Sequence, residues 1–147
     1  MTADRLLLLL LRLNAAVLLL AAPCALLPFA WMDSVHREAL GLGSLADVPI
    51  TRYLARSLSL VYAMHGAVVL FVTLRWPRLC FAVPYLAGLH VVFGCAMLAV
   101  DLDAGLPWWW VAGEGPSLVA FALVVLAVSR RANASSAVAS QGPAKSP

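Results

Sequence analysis

The sequence predicts an all-α, polytopic membrane protein built as a bundle of four transmembrane helices. Hydrophobic residues make up 63% of the 147 residues and charged residues only 12%, whereas a soluble globular domain is nearer half apolar and a quarter charged. Four long apolar stretches occupy nearly the whole chain, and short charged segments separate them. The basic residues flank these stretches, which is typical of membrane topology and not of a face that binds nucleic acid.

The four predicted helices are each long enough to cross a bilayer. They cover about residues 6–32, 53–74, 79–100 and 107–128. Roughly 20 residues at about 1.5 Å per residue cross a hydrocarbon core of about 30 Å. Helices are expected because backbone groups in lipid have to be paired within their own segment, and the alternating pattern of barrel strands is absent from the sequence.

The first helix begins with Arg5 and a leucine-rich run, which is also the pattern of a cleaved signal peptide. Arg12 and Asn14 interrupt that run, however, and the apolar stretch continues past Ala30. We therefore expect it to remain in place as a membrane helix. The segment that follows, residues 33–51, contains glycines and a proline, which predict a short amphipathic helix and then a turn on the membrane surface.

The second helix carries a stripe of small residues and three polar side chains. The stripe consists of Ala55, Ser59, Ala63 and Ala67, with Gly66 beside it. Small residues at this spacing let helices approach closely, so they predict a seam against another span of the bundle. The polar residues are Arg56, Tyr62 and His65. Polar groups in lipid are expensive and normally face the bundle interior, which makes these three candidate functional residues.

The third helix adds His90 near mid-membrane and Asp101 near its end. Counted from the turn at residues 75–78, His65 and His90 differ in depth by about 3 Å. Two histidines in a small bundle are able to ligate a b-type haem or relay protons. Alternatively, each histidine bonds a backbone carbonyl or Tyr62 and serves packing alone. A tight hairpin leaves little room for a porphyrin, which favours this alternative.

A helix breaker at residues 113–116, Gly-Glu-Gly-Pro, interrupts the fourth helix about one third of the way in. Pro116 removes a backbone donor and disfavours a helical conformation at Gly115. Two outcomes remain open. Either the helix kinks here, or the three tryptophans at residues 108–110 lie at the membrane interface and the helix restarts at Pro116.

Three charged residues of the second, third and fourth helices are predicted at one depth. Arg56 lies about one turn inside the second helix, level with Asp101 and Glu114. The sequence therefore predicts an ion pair, either Arg56–Glu114 or Arg56–Asp101. Such a cluster has two interpretations: a structural ion pair that fixes the register of the helices, or a polar pocket for a small ligand or a lipid headgroup.

Charge predicts the orientation of the bundle. Seven of the ten basic residues lie at the two termini and in the turn at residues 75–78, whereas six of the seven acidic residues lie in the other two loops. An excess of lysine and arginine marks the cytoplasmic side, so the bundle is predicted to be N-in and C-in. The membrane domain is expected to cover residues 1–131. Residues 132–147, rich in alanine, serine, glycine and proline, are expected to form a disordered cytoplasmic tail.

Three stretches give the chain a characteristic layout: residues 40–43 (LGLG), residues 52–57 (RYLARS) and residues 105–116. In this layout the chain resembles small bacterial four-helix membrane proteins of the DoxX-like type, over residues 5–130. The resemblance implies a bundle in the bacterial inner membrane with a long first helix and a polar start to the second. It implies architecture alone, and no functional residue is carried over from it.

No catalytic motif of the hydrolases, metalloproteases or P-loop proteins occurs in the sequence, and the three cysteines lack metal-ligand spacing. We expect a non-enzymatic membrane component, an accessory or partner-binding subunit with no cofactor or metal. Its expected partners are the lipid bilayer and other membrane subunits, and not nucleic acid. The alternative is a protein that handles a small ligand, a quinone or protons through an outer polar pocket, with haem or quinone as the cofactors to test.

Overall fold

The structure is a computed structural model that describes residues 2–76 and 78–140, with side chains up to Ala134. In chain order its helices are α1 Ala3–Leu19, α2 Ala21–Cys24, α3 Phe29–Ser34, α4 Pro49–Leu74, α5 Val83–Asp103, α6 Trp108–Gly113 and α7 Gly115–Ser140. A π-helical turn, Val35–Ala39, extends α3, and a 3₁₀ turn, Cys80–Ala82, leads into α5. No strand occurs among the described residues, so the all-α prediction is confirmed.

In the part of the chain that the structure describes, four helical stretches are long and apolar enough to cross a membrane. They are Ala3–Cys24, Pro49–Leu74, Cys80–Asp103 and Trp108–Ala134. Only 17% to 28% of the residues in the apolar window of each stretch are buried, and large apolar side chains such as Val17, Phe71 and Leu89 are exposed. Surfaces of this kind are unfavourable in water and suited to hydrocarbon. The four spans predicted from the sequence are therefore present.

The first span is shorter than predicted. It ends at Cys24, whereas the sequence predicted one helix over residues 6–32. Pro28 has φ −57° and ψ 140°, which is not helical backbone. Proline also has no N–H to continue a helix and disfavours helical backbone at Leu27. The chain restarts as α3, so residues 29–32 belong to the connecting segment and not to the first span.

The segment between α3 and α4 is an ordered loop. It begins with the short helix that was predicted, and Gly41 and Gly43 then adopt φ values of +64° and +85°, which favour glycine. Asp33 Oδ1 accepts the N–H of Leu45 at 2.7 Å. His36 Nδ1 donates to the carbonyl oxygen of Gly43 at 2.7 Å. These two bonds tie the loop to the helical segment from which it leaves.

The chain divides into two compact units. One unit runs from Leu11 to Leu74 and contains the second half of α1, α2, α3 and α4. Within it, α4 packs closely on α1 at Gly66, where a Cβ atom would lie 2.8 Å from the Leu18 Cβ and 3.0 Å from the Ala15 carbonyl oxygen. The other unit contains α5, α6 and α7 together with the chain up to Leu10.

The small-residue seam on α4 differs in part from the prediction. Ala63 and Gly66 are buried, but Ala67 is exposed. The buried face continues through Val69 and Val72. Because an α-helix has 3.6 residues per turn, a strict four-residue repeat drifts off a straight contact face, and the seam passes through Gly66 instead of Ala67.

In the other unit, α5 and α7 cross at two glycines. A Cβ atom at Gly94 would lie 2.8 Å from the Gly115 carbonyl oxygen, and a Cβ atom at Gly115 would lie 2.6 Å from the Gly94 carbonyl oxygen. Two helices approach this closely only where small residues face each other. Gly115 is also part of the helix breaker predicted from the sequence, but its contact with Gly94 was not predicted.

The fourth span bends at Glu114, whose backbone has φ −93° and ψ −80°. Although α6 ends at Gly113 and α7 begins at Gly115, the Glu114 N–H still bonds the Trp110 carbonyl oxygen at 3.0 Å. The Ser117 hydroxyl donates to the Gly113 carbonyl oxygen. Of the two outcomes predicted for residues 113–116, the structure has a kink, and a serine side chain satisfies part of the freed backbone.

The last helix reaches Ser140, nine residues beyond the predicted end of the membrane domain at residue 131. Residues 130–140 are rich in alanine, which has the highest helix propensity. The rest of the predicted disordered tail, residues 141–147, lies outside the described residues, and disorder there stays a prediction.

Candidate functional site

A charged groove lies on one face of the first turns of α4. It has a volume of about 650 Å³ and is lined by Asp47, Pro49, Arg52, Tyr53, Arg56, Ser57 and Leu60. The lining residues of α4 recur at intervals of three and four residues, which places them on one side of a helix. We call this feature the α4 groove.

An ion pair lies at the N-terminal end of the α4 groove. Arg52 donates from Nε to Oδ1 of Asp47 at 2.6 Å and from a terminal nitrogen to Oδ2 at 2.8 Å. This bidentate geometry engages both carboxylate oxygens. The hydrogen bond from Arg52 lowers the pKa of Asp47 below its ordinary value of 3.8. The guanidinium carbon of Arg52 also lies 5.3 Å from the ring centroid of Phe29, a cation–π contact that orients the arginine.

Arg56 is the second arginine of the α4 groove, one turn farther along the helix. Its side chain is exposed. Among the described residues of its own unit, the ion pairs are those of Arg37 and Arg52, and none engages Arg56. The adjacent Ser57 hydroxyl donates to the Leu54 carbonyl oxygen at 3.2 Å. The groove therefore combines two arginines with one carboxylate, and that carboxylate is already engaged by Arg52.

Asp101 is buried on α5, in the unit that does not contain the α4 groove. It is only 1% exposed, and its Oδ2 has no hydrogen-bond partner among the described residues. It shares the buried face of α5 with His90 and Gly94. A buried carboxylate oxygen without a partner is costly, so Asp101 is a candidate functional residue by its burial as well as by its position in the sequence.

Glu114 lies at the kink between α6 and α7. One of its carboxylate oxygens accepts a hydrogen bond from the indole nitrogen of Trp110 at 2.7 Å, which holds the side chain close to the first turn of the kinked span. Arg56 belongs to one unit, and Glu114 and Asp101 belong to the other. The Arg56–Glu114 and Arg56–Asp101 pairs stay predictions.

The polar residues predicted near mid-membrane divide between the same two units. His90 is buried, and its Nδ1 donates to the carbonyl oxygen of Leu86 at 2.7 Å, since a carbonyl oxygen only accepts. The His90 ring also meets Phe121 edge to face, with the centroids 6.3 Å apart. Tyr62 and His65 lie three residues apart on α4 and are half-buried. His90 is thus held by a carbonyl bond and by ring packing, and its role as a structural histidine or a functional one stays a prediction.

Sequence reasoning did not select Asp47 or Arg52 as site residues. Asp47 lies just before the first residue of α4, where the helix dipole favours a negative charge, and Arg52 lies in the first turn. An acidic residue at a helix start with an arginine five residues later was the signal that could have found them. Phe29 was beyond reach, because its contact with Arg52 depends on how the chain folds back from α3 to α4.

In the described part of the chain, no group of three or more His, Cys, Asp or Glu residues is placed to hold a metal ion. The cysteines Cys24, Cys80 and Cys95 are free. No protein-family model, no curated protein and no solved structure matches the chain. The chemistry of the α4 groove therefore rests on its own residues.

Proposed function

We propose that the chain is a non-enzymatic, multi-pass component of a bacterial inner membrane and that the α4 groove is the site at which it binds a ligand or partner. One observation carries the proposal: an exposed arginine, Arg56, lines a groove near the start of an apolar helix of membrane length. A charge in such a place is expensive unless a bound group compensates it. An exposed arginine in this position is suited to bind an anionic group.

The proposed orientation has both termini and the turn at residues 75–78 in the cytoplasm. The concentration of basic residues at these places supports it. In this orientation the loop between α3 and α4 faces outward, and the α4 groove opens at the outer surface of the membrane. A binding role at that surface fits an accessory subunit.

The residues of the α4 groove favour binding over catalysis. Ser57 is the only serine or threonine among the residues that line the groove, and no histidine is among them. The Ser57 hydroxyl hydrogen is directed to the Leu54 carbonyl oxygen. Nucleophilic catalysis requires a base within hydrogen-bond reach of the nucleophile, and the described lining does not supply one.

Proton handling is a second candidate function, and the buried Asp101 favours it. Proton relays in membranes are built on ionisable groups held away from lipid. Vesicles that contain the protein and an enclosed pH dye would then respond to an external acid pulse faster than vesicles with Asp101→Asn. Equal rates would remove this candidate. An absorbance spectrum of the purified protein tests separately for bound haem or quinone.

Cysteine labelling in intact cells tests the proposed orientation. In a variant that retains Cys80 alone, a membrane-impermeant maleimide should label the protein after permeabilisation and not before. Thr2→Cys in a background without native cysteines should behave in the same way. Ser44→Cys, exposed in the loop before α4, should be labelled in intact cells. Labelling of Thr2→Cys and Cys80 from opposite sides would contradict the proposed topology.

A further inference from the structure

Arg56 carries its charge into the apolar part of α4. It lies seven residues after Pro49, the first residue of the helix, which is about 10 Å along the helix axis. The next exposed side chains along the helix are apolar, Leu58 at 52% and Leu60 at 57% exposure. An arginine at this depth extends its flexible side chain toward the membrane surface, where an anion can compensate its charge.

The α4 groove has a surplus of one positive charge, from Arg52 and Arg56 against Asp47. Because both oxygens of Asp47 are bonded to Arg52, Asp47 is a poor acceptor for the ammonium group of a zwitterionic headgroup. Arg52 uses two of its guanidinium's donor positions in this pair and retains others. Two guanidinium groups one helical turn apart suit the several oxygens of a phosphate.

We infer that the α4 groove binds the phosphate of an anionic phospholipid from the outer leaflet. The inference rests on the proposed function, since the proposed orientation places the groove at the outer surface. Arg56 donates to the phosphate, and the remaining donors of Arg52 add to the same contact. An acyl chain lies along Leu60, which is 57% exposed on the same face of α4, one turn deeper than Arg56.

The apolar end of the groove distinguishes a lipid from a water-soluble anion. Leu60 lies one turn beyond Arg56, farther from the start of the helix, and offers nothing to inorganic phosphate or glycerol phosphate. An acyl chain gains free energy when it covers such a side chain. The groove thus matches both parts of an anionic amphiphile, with donors for the headgroup and an apolar surface for the chain.

Lipid titration of the purified full-length protein in neutral detergent tests the inference. Native mass spectrometry counts bound phosphatidylglycerol and, in a separate series, phosphatidylcholine. The parent protein should retain phosphatidylglycerol preferentially. Arg56→Gln should weaken that binding by about tenfold or more, because it removes charge-assisted hydrogen bonds. Arg37→Gln is the matched control, since Arg37 is an exposed arginine paired with Asp33 outside the groove, and it should leave the affinity unchanged.

A second pair of variants tests the acyl-chain contact without changing charge. Leu60→Ser should weaken phosphatidylglycerol binding by about threefold or more, because it removes apolar contact area. Leu58→Ser, a change of equal size on another face of α4, should not. Inorganic phosphate and glycerol phosphate at millimolar concentration should fail to displace the lipid. Displacement by either would identify a soluble phosphate as the occupant and overturn the inference.

Two further results would also overturn it. Phosphatidylcholine retained as well as phosphatidylglycerol would remove the role of net charge. Unchanged lipid binding in Arg56→Gln would remove Arg56 from the site. A lower melting temperature in Arg56→Gln with unchanged lipid binding would point to a carboxylate of the chain itself as the partner. Because Leu60→Ser keeps the charges, it tests the site even if Arg56→Gln fails to fold. The cysteine-labelling result is independent, so a wrong orientation and a wrong ligand are distinguishable.

Discussion

The crossing of α5 and α7 gives a prediction whose size follows from the geometry. In Gly94→Ala the new Cβ atom would lie 2.8 Å from the Gly115 carbonyl oxygen and 2.8 Å from the Val119 Cγ2 atom. Real Cβ atoms essentially never lie within 3.0 Å of such neighbours. The carbonyl oxygen is part of the backbone and has no rotamer to move to, so the two helices have to separate locally.

Separation of the helices costs free energy along the whole seam. Overpacking of a tight contact typically costs about 1–3 kcal/mol. A Gly-to-Ala change within a helix also raises the free energy of unfolding by up to about 1 kcal/mol, because alanine has the higher helix propensity. Gly88→Ala isolates that second effect, since Gly88 lies on the same helix and a Cβ atom there meets nothing within 4 Å. The difference between the two variants is therefore the overpacking cost of about 1–3 kcal/mol.

Unfolding of the purified protein in mixed micelles, followed by circular dichroism as the fraction of denaturing detergent rises, measures this difference. Gly94→Ala should unfold at a lower fraction than Gly88→Ala, and Gly88→Ala should match the parent or exceed it. Gly115→Ala should resemble Gly94→Ala, because a Cβ atom there would lie 2.6 Å from the Gly94 carbonyl oxygen. If Gly94→Ala and Gly88→Ala unfold together, the close α5–α7 crossing is wrong.

Other changes test the α4 seam, the buried carboxylate and the ion pair of the groove. Ala63→Leu should lower the free energy of unfolding in the same assay by about 1–3 kcal/mol. Ala67→Leu, at an exposed position, should change it by less than about 0.5 kcal/mol. A larger loss in Ala67→Leu than in Ala63→Leu would support the four-residue seam predicted from the sequence. Asp101→Asn should not lower the free energy of unfolding, since an amide of the same size replaces a buried carboxyl group whose Oδ2 has no partner among the described residues, but a loss of about 3–5 kcal/mol would show that Asp101 is ion-paired. Because folding lowers the pKa of Asp47 from its ordinary value of 3.8, its ion pair contributes fully above that value and is lost as the pH falls through the folded pKa. An NMR titration of this carboxyl should give a pKa below 3.8, and an ordinary value in Arg52→Gln.

The number of spans and the place of the bend followed from the sequence, because local chemistry decides both. A helix that crosses hydrocarbon needs a long apolar run, and such runs are legible in the residues themselves. Pro116 lacks an N–H, so the fourth span bends near it in any packing. The predicted end of the first span was wrong, because it was placed by apolarity alone: the span ends at Cys24, four residues before Pro28, and not at residue 32.

The sequence by itself determined which segments are helical and membrane-sized, and it singled out Arg56, Asp101 and Glu114 as polar residues in apolar surroundings. Only the tertiary structure decided where the helices meet. In α5 the spacing of Ala87, His90, Gly94 and Asp101 places them on one face, and these residues are buried, but the close contact at Gly94 depends on a glycine 21 positions later. The α4 groove itself is local, because its lining lies within residues 47–60, whereas the contact of Arg52 with the Phe29 ring depends on the fold of the chain between α3 and α4. The apolar composition of a segment decides whether it can cross a membrane, whereas the contacts between two helices depend on how both of them pack together.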